Sequence, residues 1–294
     1  MSSTTANGIA IEYETSGDPD APPLLLIMGL GGQLIAWHPD FVGALVDRGF
    51  FVIRYDNRDL GRSTWFDDAG EADVLGAMDG AASPAYVLSD MADDAAGLLD
   101  AFGIRSAHVL GVSMGGMIAQ TLAIEHPDRL RALVSVMSTT GDPSVGAPHP
   151  QAIAALLAPP ATERTAAIEQ GVMAWRTIGS PGFPFREEET RASTAAAFDR
   201  AFHPAGTARQ LVAILGSRDR TAALQRLECP TLVIHGEDDV LVDPSGGKAT
   251  AAAIPGAELL LVPGMGHHIP PELFDDLADR IAGHLHAHDA PPRS

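Results

Sequence analysis

The chain has 294 residues and a formal net charge of −19 at pH 7, and we expect so acidic a protein to bind neither nucleic acid nor an anionic membrane surface. Its single cysteine, Cys229, excludes an internal disulfide and is typical of a small buried residue beside Pro230. The polar first segment and the lack of a long apolar run favour a cytoplasmic protein without a membrane span.

Apolar, β-prone runs alternate with helical patterns along the first half of the chain. In chain order they predict strands at 9–15 and 24–28, a helix at 40–47, a strand at 50–55, an acidic helix at 85–101, a strand at 107–112, a helix ending at residue 125 and a strand at 132–137. Two further β runs follow, at 231–234 and 258–262. Such alternation predicts an α/β fold with a mostly parallel sheet covered on both faces.

The alternation breaks in two places. Residues 67–83 are acidic and rich in Ala and Gly, which predicts a long loop that is mobile or borders a pocket. Residues 141–226 contain Ala-rich helical stretches interrupted by prolines. We therefore predict a core formed by 1–140 and 227–294, with residues 141–226 inserted as a helical cap over the carboxyl edge of the sheet.

A serine stands between a predicted strand and a predicted helix in the run GVSMG. Ser113 is flanked two residues away by Gly111 and Gly115, and Gly116 follows. A strand–turn–helix with G-x-S-x-G is typical of a nucleophile elbow, in which only small residues fit around the strained serine. The turn would place the Ser113 hydroxyl at a helix N-terminus, where developing negative charge is favoured. We therefore predict that Ser113 is a nucleophile.

A carboxylate is expected on the loop after the strand at 231–234. Asp239 lies three residues after Gly236 and directly before an apolar residue, so we predict that it is the acid of a catalytic triad. Asp238 and Asp243 remain alternatives, since either could instead be a solvated loop acid or a helix cap.

The next strand, at 258–262, leads into a glycine-rich loop that contains two histidines. His267 follows Gly266 directly and is the predicted general base, with His268 as the alternative. The order Ser, Asp, His along the chain supports a triad, because an imidazole can take the serine proton near neutral pH.

The glycine loop after the strand at 24–28 has a rival interpretation as a nucleotide site. A dinucleotide fingerprint would need glycine at the position of Leu34, and the Gly-Gly-Lys run at 246–248 lacks the residues of a P-loop. We therefore expect no cofactor.

Three histidines near the C-terminus raise the question of a metal site. Only His284 and His288 would share a helix face with each other, whereas His286 would not, and histidines suit a helix C-terminus in any case. We expect no metal site.

Together these elements resemble the α/β-hydrolase superfamily, and the resemblance covers nearly the whole chain. Further matching runs are VIRYDNRDLGRST at 52–64, EHPDRLRALV at 125–134 and LECPTLVIHGEDD at 227–239. The first of these and the turn GMGHHIP look most like the aclacinomycin methylesterases. The resemblance implies an eight-stranded, mostly parallel sheet. It also implies oxyanion donors at the backbone N–H groups of Leu30 and Met114. Met28-Gly29 stands where family members usually have His-Gly.

The resemblance implies a serine carboxylic-ester hydrolase that forms an acyl-enzyme on a small to medium, hydrophobic ester, such as a methyl ester. A perhydrolase or lyase using the same triad, and a non-catalytic ligand receptor of the same fold, are the alternatives.

Cap aromatics, including Phe185, Phe198 and Phe202, could line the pocket or form the cap's own core. Residues predicted to contact the small-molecule ester are Met28, Gly29, Trp37, Trp175, Phe183 and Met265. The oligomeric state, monomer or homodimer, stays open.

Overall fold

A computed structural model describes residues 1–289. The proline-rich end of the sequence predicts a frayed tail at 291–294, which lies outside the described residues. The strands are β1 (Ser2–Ala6), β2 (Ile9–Ser16), β3 (Pro23–Ile27), β4 (Phe51–Tyr55), β5 (Ala107–Val112), β6 (Leu130–Val136), β7 (Thr231–Gly236) and β8 (Glu258–Val262). They form one sheet in the order β1-β2-β4-β3-β5-β6-β7-β8. β2 pairs antiparallel with both β1 and β4, and all other pairs are parallel. The predicted eight-stranded, mostly parallel sheet is confirmed.

Strand β1 was not among the strands predicted from residue patterns. It pairs with β2 through a two-residue turn, Asn7-Gly8, in which both residues have positive φ (47° and 77°). Asn-Gly is the preferred sequence for such a turn, because both central positions need the left-handed region. An edge strand needs little apolar surface, so β1 could be polar and still pair through its backbone.

Helices cover both faces of the sheet, as expected for parallel strands joined by crossovers. They are α1 (Pro39–Asp47), α2 (Val74–Met78), α3 (Leu88–Ala101), α4 (Met114–Glu125), α5 (Pro150–Leu156), α6 (Arg164–Ile178), α7 (Glu187–Arg200), α8 (Pro204–Leu215), α9 (Thr221–Leu224), α10 (Ser245–Ala253) and α11 (Phe274–Ala287). Helix α3 begins three residues later than predicted. The Asp90 carboxylate accepts the Val87 N–H at 2.8 Å, which ends the loop at Val87.

Alternating residues of the central strands supply two separate hydrophobic cores. On β3, Leu25 and Ile27 pack with α3 and α4, whereas Leu24 and Leu26 pack with α1 and α11 on the other face. All four side chains are fully buried. Period-two alternation therefore fills both layers from the same strand.

Helices α5 to α9 lie between β6 and β7, within the segment predicted as a cap. Pro150 and Pro204 occupy the first positions of α5 and α8, where a missing N–H costs nothing. The segment predicted as a loop at 67–83 contains the short helix α2, whose N-cap Asp73 accepts the Gly76 N–H at 2.8 Å. Helix α2 packs against α8.

Candidate active site

Ser113 occupies the turn between β5 and α4. Its backbone has φ 55° and ψ −121°, a strained conformation for a residue with a side chain. The turn brings the chain so close that a Cβ at Gly111 would lie 2.1 Å from the Gly115 carbonyl oxygen. A Cβ at Gly115 would lie 2.0 Å from the Ile27 carbonyl oxygen on β3. Both positions therefore require glycine, and the half-buried serine is held at the apex of the turn.

Asp239 and His267 are in direct contact. The imidazole Nδ1 donates to the carboxylate Oδ2 at 2.7 Å, and both side chains are buried. The other oxygen, Oδ1, accepts the N–H groups of Leu241 at 2.9 Å and Val242 at 3.0 Å. With its Nδ1 proton committed to the carboxylate, the neutral imidazole presents Nε2 as a proton acceptor.

The environment of Asp239 keeps it ionised. Burial acts most strongly and by itself raises the pKa of the carboxyl group. The charge that His267 can carry, together with hydrogen bonds from His235, His267 and the Val242 N–H, outweighs burial, so the pKa of Asp239 lies well below its ordinary value. The site therefore holds a buried carboxylate anion beside an imidazole.

The alternative acids and base make other contacts. Asp238 is exposed, and its carboxylate accepts the Gly264 N–H at 2.9 Å. The Asp243 carboxylate accepts the Ser245 N–H at 2.9 Å, at the start of α10. His268 is exposed, and its ring lies edge-on to Trp175 at 5.7 Å between centroids. Of the three candidate carboxylates, the structure brings Asp239 to His267.

The strands explain how residues far apart in sequence reach one place. Ser113 follows β5, Asp239 follows β7 and His267 follows β8, and these strands are parallel members of one sheet. Their carboxyl ends therefore lie along one edge. That edge is where open α/β sheets bind ligands.

The loop after β3 lies beside the serine. A Cβ at Gly29 would stand 3.1 Å from the Ser113 Cβ and 3.7 Å from its Oγ. The N–H of Gly32 donates to the Gly29 carbonyl oxygen, whereas the N–H of Leu30 has no acceptor within residues 1–289. The N–H of Met114 is at the first position of α4, where helical N–H groups lack intrahelical partners. Within residues 1–289, neither of these two N–H groups has a hydrogen-bond acceptor.

The sequence patterns did not indicate a role for His235. It ends the apolar run of β7, four residues before Asp239, and it is fully buried. Its Nε2 lies 2.8 Å from the Val242 carbonyl oxygen and 3.4 Å from Asp239 Oδ2. His235 therefore supports the turn that presents the acid. The signal available in the sequence was a histidine at the end of an apolar β run, four residues before an aspartate in the following loop.

The end of α6 and the residues after it bond to the loop that carries His267. The sequence patterns did not indicate this contact. The Ile178 carbonyl oxygen accepts the backbone N–H of His267 at 2.8 Å. The Ser180 hydroxyl accepts the Gly266 N–H at 3.0 Å and donates to the His268 carbonyl oxygen at 2.6 Å. Ile178 and Ser180 thus bond to the backbone on both sides of the imidazole.

The six residues predicted to contact substrate fall into different environments. Gly29 borders Ser113, as described above. Trp37 and Met265 are buried in the hydrophobic core, where Trp37 stacks on Phe41. Met28 and Phe183 are partly buried against the same core. Trp175 is 38% exposed beside His268, so it is the most accessible of these side chains.

The histidines near the C-terminus and the single cysteine have contacts of their own, outside the candidate site. His284 Nδ1 lies 3.1 Å from a Glu258 oxygen, and His286 Nε2 lies 2.8 Å from the Arg48 carbonyl oxygen. Burial raises the pKa of the Cys229 thiol to about 12, so the thiol is protonated at neutral pH.

Comparisons with known proteins agree with this architecture. The chain matches the alpha/beta hydrolase fold family over residues 22–272. It is 33% identical to rhodomycin D methylesterase DnrP of Streptomyces peucetius, over 96% of this chain and 97% of that protein. No helix described within residues 1–289 is both long and apolar enough to cross a membrane.

Solved structures of other hydrolases superpose on this fold over nearly the whole chain. The enol-lactonase of Burkholderia xenovorans LB400 superposes with a TM-score of 0.74 at 26% identity, covering 97% of this chain and all of that one. A thermophilic esterase of Thermogutta terrifontis superposes with a TM-score of 0.68 at 25% identity, covering 98% and 97% of the two chains. The chain is a hydrolase that belongs to the α/β hydrolase fold family.

Proposed function

We propose that the chain hydrolyses carboxylic esters through a triad of Ser113, Asp239 and His267. The observation that carries the proposal is the buried 2.7 Å contact between His267 and Asp239, placed along the same sheet edge as the strained Ser113 turn. A serine hydroxyl is a weak nucleophile until a base takes its proton, and His267 Nε2 is the ring nitrogen that makes no hydrogen bond within residues 1–289. The hydrogen bond between the serine hydroxyl and the histidine of such a triad often tightens only when substrate binds.

The reaction has two halves. In the first, Ser113 Oγ attacks the ester carbonyl carbon while His267 takes the hydroxyl proton, and the carbonyl oxygen becomes an anion. The N–H groups of Leu30 and Met114 donate to that oxyanion. The tetrahedral intermediate collapses, its C–O bond to the alcohol breaks, and His267 returns the proton to the leaving alcohol.

In the second half, His267 takes a proton from water, which attacks the acyl-serine carbonyl. Collapse of the second tetrahedral intermediate breaks the acyl–serine bond and returns the proton to Ser113 Oγ. The products are a carboxylic acid and an alcohol. Asp239 stays ionised throughout, because it stabilises the imidazolium without itself accepting the proton.

We infer that the substrate is a methyl ester of a hydrophobic acid. The support is the similarity to rhodomycin D methylesterase DnrP over nearly the whole of both chains. Acidic side chains outnumber basic ones by 38 to 19, which favours a neutral or cationic substrate.

We also propose that residues 141–226 act as a cap that recognises the acyl part. Helices α5 to α9 replace a simple crossover between β6 and β7, and their segment reaches the loop that carries His267. Within this segment, Trp175 and Phe183 offer apolar surface beside the histidine loop. The proposed core is then 1–140 with 227–294.

The test is a fluorophosphonate probe followed by peptide mapping, together with a panel of methyl and p-nitrophenyl esters. We expect covalent modification at Ser113 and turnover of aromatic methyl esters. A purified, folded protein that neither reacts with the probe nor hydrolyses any ester would contradict the proposal and favour a non-catalytic receptor.

A further inference from the structure

Gln210 joins helix α8 to two loops of the sheet domain. Its side chain is fully buried. Its Oε1 accepts the Gly31 N–H at 3.1 Å, and its Nε2 donates to the Arg58 carbonyl oxygen at 2.8 Å. The amide thus uses one oxygen and one nitrogen to connect the glycine loop after β3 with the segment after β4.

The glycine loop needs an external support. Gly29, Gly31 and Gly32 surround Leu30, and glycine leaves the backbone with the greatest conformational freedom. Gly31 has φ +68°, and a Cβ there would lie 3.1 Å from the Thr207 Cγ2 on α8. The loop therefore packs directly on α8, one turn before Gln210.

The other end of the connection is rigid. Arg58 pairs with Asp94 through two buried contacts of 2.6 Å and 2.7 Å, and the guanidinium also donates to the Asp90 carbonyl oxygen at 2.9 Å. Gln210 therefore fixes Gly31 relative to a segment that a buried ion pair holds in place. The Gly31 N–H is committed to Gln210, whereas the neighbouring N–H of Leu30 has no acceptor within residues 1–289.

We propose that Gln210 is a positioning residue for the oxyanion hole, an inference that rests on the ester hydrolysis proposed above. It orients the peptide that follows Leu30, and so aims the Leu30 N–H at the carbonyl oxygen as that oxygen becomes an anion. Preorganised donors act in the transition state, so a loosened loop lowers kcat more than it raises KM.

Gln170, a partly buried residue of α6, provides a control glutamine. Its Oε1 accepts the Ala161 N–H at 2.8 Å and its Nε2 donates to the Pro159 carbonyl oxygen at 2.9 Å. Like Gln210, it bridges two backbone groups, but within residues 1–289 its side-chain hydrogen bonds go to the loop before α6 and not to the loops that carry Leu30, Ser113 or His267. Methionine is close in length to glutamine and removes both hydrogen bonds.

The experiment compares Gln210→Met with Gln170→Met and the unchanged protein. We measure kcat and KM for an aromatic ester, and the affinity for phenylboronic acid, whose tetrahedral serine adduct places an oxygen in the oxyanion hole. For Gln210→Met we expect kcat to fall roughly 10- to 100-fold, KM to stay within about threefold, and boronate affinity to fall in parallel. Gln170→Met should leave all three near the unchanged protein's values.

Equal losses in both variants, or a change confined to KM, would overturn the inference. If Gln210→Met does not fold, Gln210→Glu replaces it. A neutral carboxyl group can reproduce both hydrogen bonds of the amide, whereas the carboxylate loses the donor and adds negative charge near the oxyanion. The ratio of its kcat/KM to that of the unchanged protein should therefore fall as pH rises, and a flat ratio would also overturn the inference.

Failure of the proposed function gives a different result. If the unchanged protein neither turns over esters nor reacts with the fluorophosphonate, the ester-hydrolase proposal is wrong. An active unchanged protein whose Gln210 variants keep full kcat and boronate affinity contradicts the role of Gln210 alone.

Discussion

Ile178, the last residue of α6, accepts the backbone N–H of His267 at 2.8 Å. Next to this contact, the Ser180 hydroxyl bridges the N–H of Gly266 and the carbonyl oxygen of His268. A Cβ at Gly266 would lie 2.1 Å from the Gly179 carbonyl oxygen, so the two segments lie in backbone contact. The proposed base is thus held in place by the end of α6 and the residues after it, as well as by its contact with Asp239.

Ser180→Ala should lower kcat roughly tenfold while KM changes little. The alanine removes both hydrogen bonds, so the His267 loop can move relative to Asp239 and Ser113, and small misplacements of catalytic groups are costly. The measurement is kcat, KM and the rate of fluorophosphonate labelling. Ser193→Ala is the control, because in the part of the chain that the structure describes the Ser193 hydroxyl donates to the Thr190 carbonyl oxygen of its own helix and to no other group. Matching rates in the two variants would show that Ser180 has no positioning role.

Ser113→Ala should abolish ester hydrolysis and leave the fold intact. Loss of the nucleophile of such a triad typically reduces kcat by roughly 10⁴- to 10⁶-fold. Hydrolysis is measured on purified variant, with thermal unfolding as the control for folding. Retention of more than a tenth of the activity would mean that another group is the nucleophile.

Asp239→Asn should retain more activity than Ser113→Ala, with kcat reduced by roughly 10³- to 10⁴-fold. The carboxylate orients His267 and stabilises its positive charge, but it forms no bond to substrate. Asp238→Asn and Asp243→Asn are the matched controls, since neither carboxylate contacts His267. A large loss in either control beside an active Asp239→Asn would move the assignment of the acid.

Asp239 should also make the folded state sensitive to acid. Its pKa in the folded protein lies below the ordinary value of 3.8, so ionised Asp239 stabilises the fold at pH values above that value. This contribution is lost as pH falls below 3.8, because the unfolded chain then binds a proton at this carboxylate that folded Asp239, with its lowered pKa, does not. The difference in unfolding free energy between the unchanged protein and Asp239→Asn should therefore be larger at pH 6 than at pH 3. Urea denaturation at both pH values measures it, and a difference that grows in acid would contradict the prediction.

Trp175→Ala and Phe183→Ala should change the preference between bulky and small esters more than they change reactivity toward a small activated ester. A lost apolar contact costs roughly 1–3 kcal/mol for a bulky group, and a small acetate ester never made that contact. The measurement is kcat/KM for p-nitrophenyl acetate and for a bulky aromatic ester. Met173→Ala is the control, because Met173 is 59% exposed and lies about 200° around α6 from Trp175. If kcat/KM fell by the same factor for both esters, these aromatic side chains would have a structural role and not a role in substrate recognition.

The sequence by itself determined the fold and the kind of turn that carries Ser113. Alternating strands and helices leave a local pattern, because side chains repeat with a period of 2.0 or 3.6 residues. The same holds for the serine turn, where close backbone approach excludes any residue but glycine at Gly111 and Gly115. Steric limits of this kind can be deduced from residues that are neighbours in the sequence.

Only the tertiary structure decided which groups meet. The sequence favours Asp239 over Asp238 and Asp243 by its position, but it is the turn after β7 that directs its carboxylate to an imidazole 28 residues away. Ser180 and Gly266 are separated by 86 residues, and Gln210 and Gly31 by 179. No local pattern encodes such pairs, because each polar group gains its partner only when burial removes water from both and the packed helices bring them within hydrogen-bond distance.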